Sequence, residues 1–164
     1  MVHALLRLNH LAPAAKATQQ PDEVVNLPEA METKAYVKES ASEPKRESNS
    51  LNVTAVLDIA ESWHINANPA SLDFLIPTSV DVREDSGKAV VKPAYPDALA
   101  MTTTLGDIKV YEGKVSIPVK VILLGSTEIL RLLVRAQARK DTTCLAHSDW
   151  IIPVKFKYKR ECFA

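Results

Sequence analysis

Glycine, cysteine and aromatic residues are all scarce in this chain, and each scarcity excludes something. There are four glycines and two cysteines in 164 residues, and aromatics make up 5%. The glycines are scattered and none opens a strand-to-helix turn, so no phosphate-cradling loop is expected. No apolar run approaches the roughly 18–20 residues of a membrane-spanning helix. Charge of one sign is lacking too: 20 Lys and Arg balance 20 Asp and Glu, and no overall field draws the chain toward nucleic acid or an anionic membrane. His3, His10, His64, His147, Cys144 and Cys162 include no Cys-x-x-Cys and no His-x-x-x-His pair. Neither a structural zinc site nor a cofactor is expected. No pattern signals a hydrolytic triad.

What is present suffices for one domain with a tail, since 46% of the residues are apolar. Every aromatic except Tyr36 falls between Trp63 and Phe163, which places the core there. In the first eleven residues Arg7, Asn9 and His10 interrupt the apolar run, so a short amphipathic helix is expected and a signal peptide is not. Pro13, Pro21, Pro28 and Pro44 and a Glu/Lys-rich run over 29–47 follow. That composition cannot bury enough surface to offset the entropy of ordering. Residues 1–50 are therefore expected to be a short helix and a disordered linker, with a short helix over 28–38 as the alternative for part of it.

From Leu51 the pattern changes to strand. Leu51, Val53, Ala55, Leu57 and Ile59 alternate with Asn52, Thr54, Val56 and Asp58, the period of a strand with one buried face. Further β-rich runs occupy 62–66, 76–83, 88–92, 108–111, 114–123, 129–138 and 150–158, separated by turn residues such as Asn68-Pro69, Tyr95-Pro96, Glu112-Gly113 and Gly125-Ser126. Eight short strands at this spacing predict an all-β, immunoglobulin-like antiparallel sandwich over 51–160, with 161–164 a C-terminal tail. Pro118 and Pro153 fall inside strands and are expected at edges or bulges, because proline cannot donate to a ladder.

Few residues stand out chemically. His64, on a strand entering a turn, is expected to be hydrogen-bonded beside a sheet edge, and the neighbouring asparagines to cap turn backbone. Between 131 and 160, eight cationic side chains face two acidic ones; a solvated outer face is the expectation, an acidic partner the alternative. Cys144 precedes the last strand and Cys162 follows it. A strand over 150–158 spans ~26 Å, while a disulfide needs α-carbons within about 7 Å, so no bridge between them is expected.

Several motifs in order carry a family resemblance: Trp63-His-Ile-Asn-Ala-Asn-Pro69, the Tyr95-Pro96 turn, Val110-Tyr-Glu-Gly113 and Gln137-Ala-Arg-Lys-Asp-Thr-Thr-Cys-Leu145. Over residues 51–160 the chain resembles the N-terminal, disulfide bond corrector domain of the thiol:disulfide interchange protein DsbD. The resemblance implies an immunoglobulin-like domain of the bacterial periplasm that passes electrons through a cysteine pair between a membrane redox protein and thioredoxin-like partners. In that family the active loop runs Gln-x-Cys, four residues, then Cys-Leu-x-Pro. Cys144 and Leu145 match the second half, whereas Arg139 stands at the first cysteine and His147 at the proline. A dithiol relay needs one thiolate to attack and another to resolve the mixed disulfide, so two-electron exchange within the domain is not expected. The loop that covers the cysteines in the family corresponds to 97–106, where Leu99, Met101 and Leu105 replace any aromatic shield.

Three functions follow as expectations: a redox-degenerate module that binds partners in periplasmic disulfide or cytochrome maturation; a monothiol protein using Cys144 beside Arg139, whose cation would favour the thiolate; or a structural C-terminal appendage of a larger thioredoxin-like protein. The leucine-rich start suits the end of an upstream domain, and the chain is read as a candidate fragment of a longer exported protein.

Overall fold

The computed structural model describes residues 32–83, 89–125 and 129–156. The expected N-terminal helix over 1–11, most of the expected linker, Cys162 and the C-terminal tail lie outside the described residues. The regular secondary structure of the described residues is strand, apart from a 3-10 turn at Thr33–Ala35.

Among the described residues, thirteen strands form three antiparallel sheets. The first sheet is built on β3 (Ser50–Ile59) and β9 (Lys114–Leu123), flanked by β1 (Val37–Ala41) and β6 (Ala89–Pro93) in the order β1-β3-β9-β6, with β2 (Lys45–Glu47) also on β3. The second has the order β13-β10-β5, from β13 (Ser148–Lys155), β10 (Ile129–Ala136) and β5 (Ser79–Val82). The third runs β12-β11-β4-β8-β7, from β12 (Thr143–Cys144), β11 (Ala138–Lys140), β4 (His64–Asn66), β8 (Gly106–Tyr111) and β7 (Leu99–Thr103).

Alternation makes the sandwich. Leu51, Val53, Ala55, Leu57 and Ile59 of β3 and Val115, Ile117, Val119, Val121 and Leu123 of β9 are all buried. They belong to the same core as Leu130, Leu132, Val134 and Ala136 of β10 and Trp150 and Val154 of β13. Apolar side chains at every second position give each sheet one face that leaves water, and the two faces bury each other. The result is an all-β, immunoglobulin-like antiparallel sandwich.

Two expectations are corrected. Residues 32–50 are not wholly linker: β1 pairs with β3 from Val37↔Ile59 to Ala41↔Ala55, Val37 is buried in the core, and Tyr36 stacks on Trp63 with ring centroids 3.9 Å apart. Charged residues between them hid a strand that needs only one buried side chain to dock. Pro118 is not at an edge or a bulge either, because β9 lies between β3 and β6. Its carbonyl accepts from the Ala94 N–H at 2.8 Å, just past the last β6 pair, Pro93↔Val119. The missing N–H therefore falls where the ladder to β6 has ended, at little cost. Pro153 does lie in an edge strand, β13.

The third sheet sits where the second ends. Strand β10 stops at Ala136 and β11 starts at Ala138, so the chain leaves one sheet for the other at Gln137. That switch is held by side chains. Gln137 Nε2 donates to the Leu145 carbonyl at 3.0 Å and Asn66 Nδ2 to Gln137 Oε1 at 3.3 Å. Thr33 Oγ1 accepts from the Ala138 N–H at 2.8 Å and donates to the Ala146 carbonyl at 2.7 Å. The asparagines cap the turn as expected: Asn66 Nδ2 donates to the Ile76 carbonyl at 2.9 Å and Asn68 Nδ2 to that of Thr78 at 2.8 Å.

Candidate functional site

The third sheet has two faces with different chemistry. Ile65, Tyr111 and Ala138 are register partners and join the main core. Successive side chains of a strand point to opposite faces, so His64, Asn66, Val110 and Arg139 fall on the other one. There Val110 and Ile108 meet Leu75, with Leu72 and Met101 packed against them. The loop over 67–78 thus covers the apolar half of this face, and the polar half is the candidate site.

Register assembles it. Arg139 is paired with His64 on one side and with Cys144 on the other, which makes His64–Arg139–Cys144 one row across three strands with neighbouring α-carbons about 4.5–5.5 Å apart. Strands β11 and β12 are joined by the two-residue turn Asp141-Thr142, in which Asp141 has φ 49°. Aspartate tolerates that left-handed conformation through its short polar side chain. Leu145 closes the hairpin, its N–H donating to the Ala138 carbonyl at 3.0 Å.

Burial along the row is uneven. Cys144 is a free, exposed thiol, whereas Arg139 is 2% exposed and His64 4%. Arg139 Nε and Nη1 and His64 Nε2 are buried with no hydrogen-bond partner. This corrects the expectation for His64: it lies in an inner strand of its sheet, not at an edge, and its Nε2 is unsatisfied. Burial, and then the Arg139 cation, hold the His64 imidazole below its ordinary value of 6.5, against smaller opposing effects of Glu112 and Asp141. The imidazole is therefore neutral at pH 7 and does not add to the charge of Arg139.

Beside the row lies a cleft of about 720 Å³, lined by His64, Trp63, Glu61, Glu112, Asp141 and, from β7 and its turn, Met101–Thr104. Met101–Thr104 thus border the same cleft as His64, which Cys144 does not line. No group of three or more His, Cys, Asp and Glu side chains suited to a metal occurs among the described residues. Sequence reasoning singled out Cys144 and Arg139 and undervalued His64. Glu112 and Asp141, which line the cleft, were not singled out as site residues; their only signal was position, each in a two-residue turn between strands.

No protein-family model and no curated protein matches the chain. Among solved structures, the N-terminal periplasmic domain of ScsB from Proteus mirabilis is similar at a TM-score of 0.58 and 11% identity, over 73% of this chain and 46% of that one. The chain thus spans less than half of that domain, and the likeness is one of fold. The reduced N-terminal domain of DsbD from Neisseria meningitidis superposes at a TM-score of 0.46 and 14% identity, over 76% of this chain and 88% of that one. Among the described residues no helix is long and apolar enough to cross a membrane.

Proposed function

We propose that this chain carries a DsbD N-terminal-like, thiol:disulfide interchange domain that has lost its relay and serves as a partner-binding module for thioredoxin-like or membrane redox proteins in the periplasm. The observation that carries the reading is the pairing of Arg139 with Cys144 across β11 and β12. A dithiol site needs two sulfurs that can bond, and directly opposed residues in an antiparallel pair are within the reach of a disulfide. The shape for a cysteine pair is present and one sulfur is replaced by a guanidinium. Electrons cannot then be relayed within the domain, but the surface around Cys144 stays exposed for a partner.

Restoring the pair tests this. Arg139→Cys, titrated in glutathione buffers and followed by mass spectrometry, is expected to form a 139–144 bridge; failure at every accessible potential would overturn the reading. The natural protein is expected to show no relay activity and no bridge between Cys144 and Cys162. A second reading is favoured by the exposure of Cys144: a monothiol that forms mixed disulfides with a partner. Capture of glutathione on the natural protein, lost in Cys144→Ser, would distinguish it.

A further inference from the structure

The buried guanidinium has a consequence for Cys144 that goes beyond partner binding and needs only the row itself. A charge taken out of water is costly unless it is paired and hydrogen-bonded. Arg139 is 2% exposed and two of its donor nitrogens are unused. Its register neighbour on one side, His64, is held neutral and cannot compensate it. The neighbour on the other side is a thiol, on the same face and open to solvent. An anion formed at that sulfur would supply what the guanidinium lacks.

We propose that Cys144 is a site of oxidation by hydrogen peroxide, and that Arg139 holds the resulting sulfinate through Nε–H and Nη1–H. In the first step the sulfur attacks one peroxide oxygen and retains it as hydroxyl, the O–O bond breaks, the sulfur loses two electrons, and the other oxygen leaves with the thiol proton as water. Cys144 becomes a sulfenic acid. A resolving thiol would ordinarily capture this species as a disulfide, but position 139 offers a guanidinium in its place. A second peroxide delivers a second oxygen in the same way, again leaving as water, and the sulfinic acid gives its proton to solvent. The product has two oxygens on one atom, the geometry that a guanidinium fork grips in a carboxylate. Register partners in an antiparallel pair share a face, so the oxygens form on the side of the sheet that carries Arg139.

The test does not depend on restoring a disulfide, so its outcome is separable from that of Arg139→Cys. The full chain is treated with hydrogen peroxide, the gain of one and then two oxygens at Cys144 is followed by peptide mass spectrometry, and the doubly oxidised protein is melted beside the reduced one. It is expected to melt higher, by about 4 °C or more, the effect of a charge-assisted pair in a domain of this size. Cys144→Asp places a carboxylate at the same position without oxidant, and Cys144→Asn is its neutral counterpart. The aspartate variant is expected to melt above the asparagine one at pH 7, with the gap closing as the carboxyl is protonated. In an Arg139→Met background the gap should disappear. An oxidised protein no more stable than the reduced one, or equal melting of Cys144→Asp and Cys144→Asn, would overturn the proposal even if Arg139→Met fails to fold.

Discussion

At the scale of residues, the site is governed by groups that the sandwich keeps from water. His64 is the one whose cost can be read from pH. Its value is lowered by burial first and by Arg139 second, so the unfolded chain takes up a proton near pH 6.5 that the folded chain refuses. Stability from this group is complete above about 6.5 and declines as pH falls through the interval down to the lowered folded value. Asp149 acts in the same direction in a lower window: its carboxyl is held below 3.8, mainly by hydrogen bonds from Arg135 at 2.7 and 2.8 Å. The two can be separated by where the slope lies. His64→Leu is expected to flatten the fall in melting temperature between pH 7 and 5 and to leave the fall below pH 4 intact; an unchanged upper slope would show that His64 is not the group responsible.

Among elements, strands with one wet face and one dry face were legible, whereas the short and largely exposed β1, β2, β7 and β12 were not. Strands β3, β9, β10 and β13 alternate, and each of the eight runs read from the sequence holds a strand, β9 with the same bounds and the others with shifted ends. Strand β4 is buried at all three of His64, Ile65 and Asn66, so its side chains carry no alternation to separate core from site. The row at the site is likewise a product of register between strands far apart in sequence. Only the resemblance brought Arg139 and Cys144 together beforehand, and it gave no sign that the guanidinium would be buried. Short β11 and β12 depend on side-chain bonds from outside their hairpin, above all from Thr33. Thr33→Val keeps the shape and removes the oxygen, leaving the buried Ala138 N–H unpaired. A loss of about 1–3 kcal/mol is expected, measurable by denaturant titration, with the Cys144 thiol reacting faster with an alkylating reagent as the hairpin loosens. A variant of unchanged stability would mean that the Ala138 N–H finds another partner.

For the molecule as a whole, the decisive matter is where the cooperative unit begins. Composition set the boundary at residue 51, yet β1 completes the first sheet and the segment before it reaches across to the third. Thr33 bonds to Ala138 and Ala146, the Lys34 N–H donates to Ser148 Oγ at 3.2 Å, and Tyr36 covers Trp63 at the cleft. We therefore propose that the unit starts near Glu32, and two truncations test it. A chain starting at Glu32 is expected to melt like the full protein. One starting at Ser48 loses the buried Val37, worth about 1.5–3 kcal/mol, and uncovers the Ala138 N–H, worth about 1–3 kcal/mol. Its melting temperature should fall by roughly 10 °C or more, and its Trp63 fluorescence should shift toward that of a solvated indole. Equal melting of the two truncations would return the boundary to residue 51 and reduce β1 to an ornament on a sheet that is stable without it.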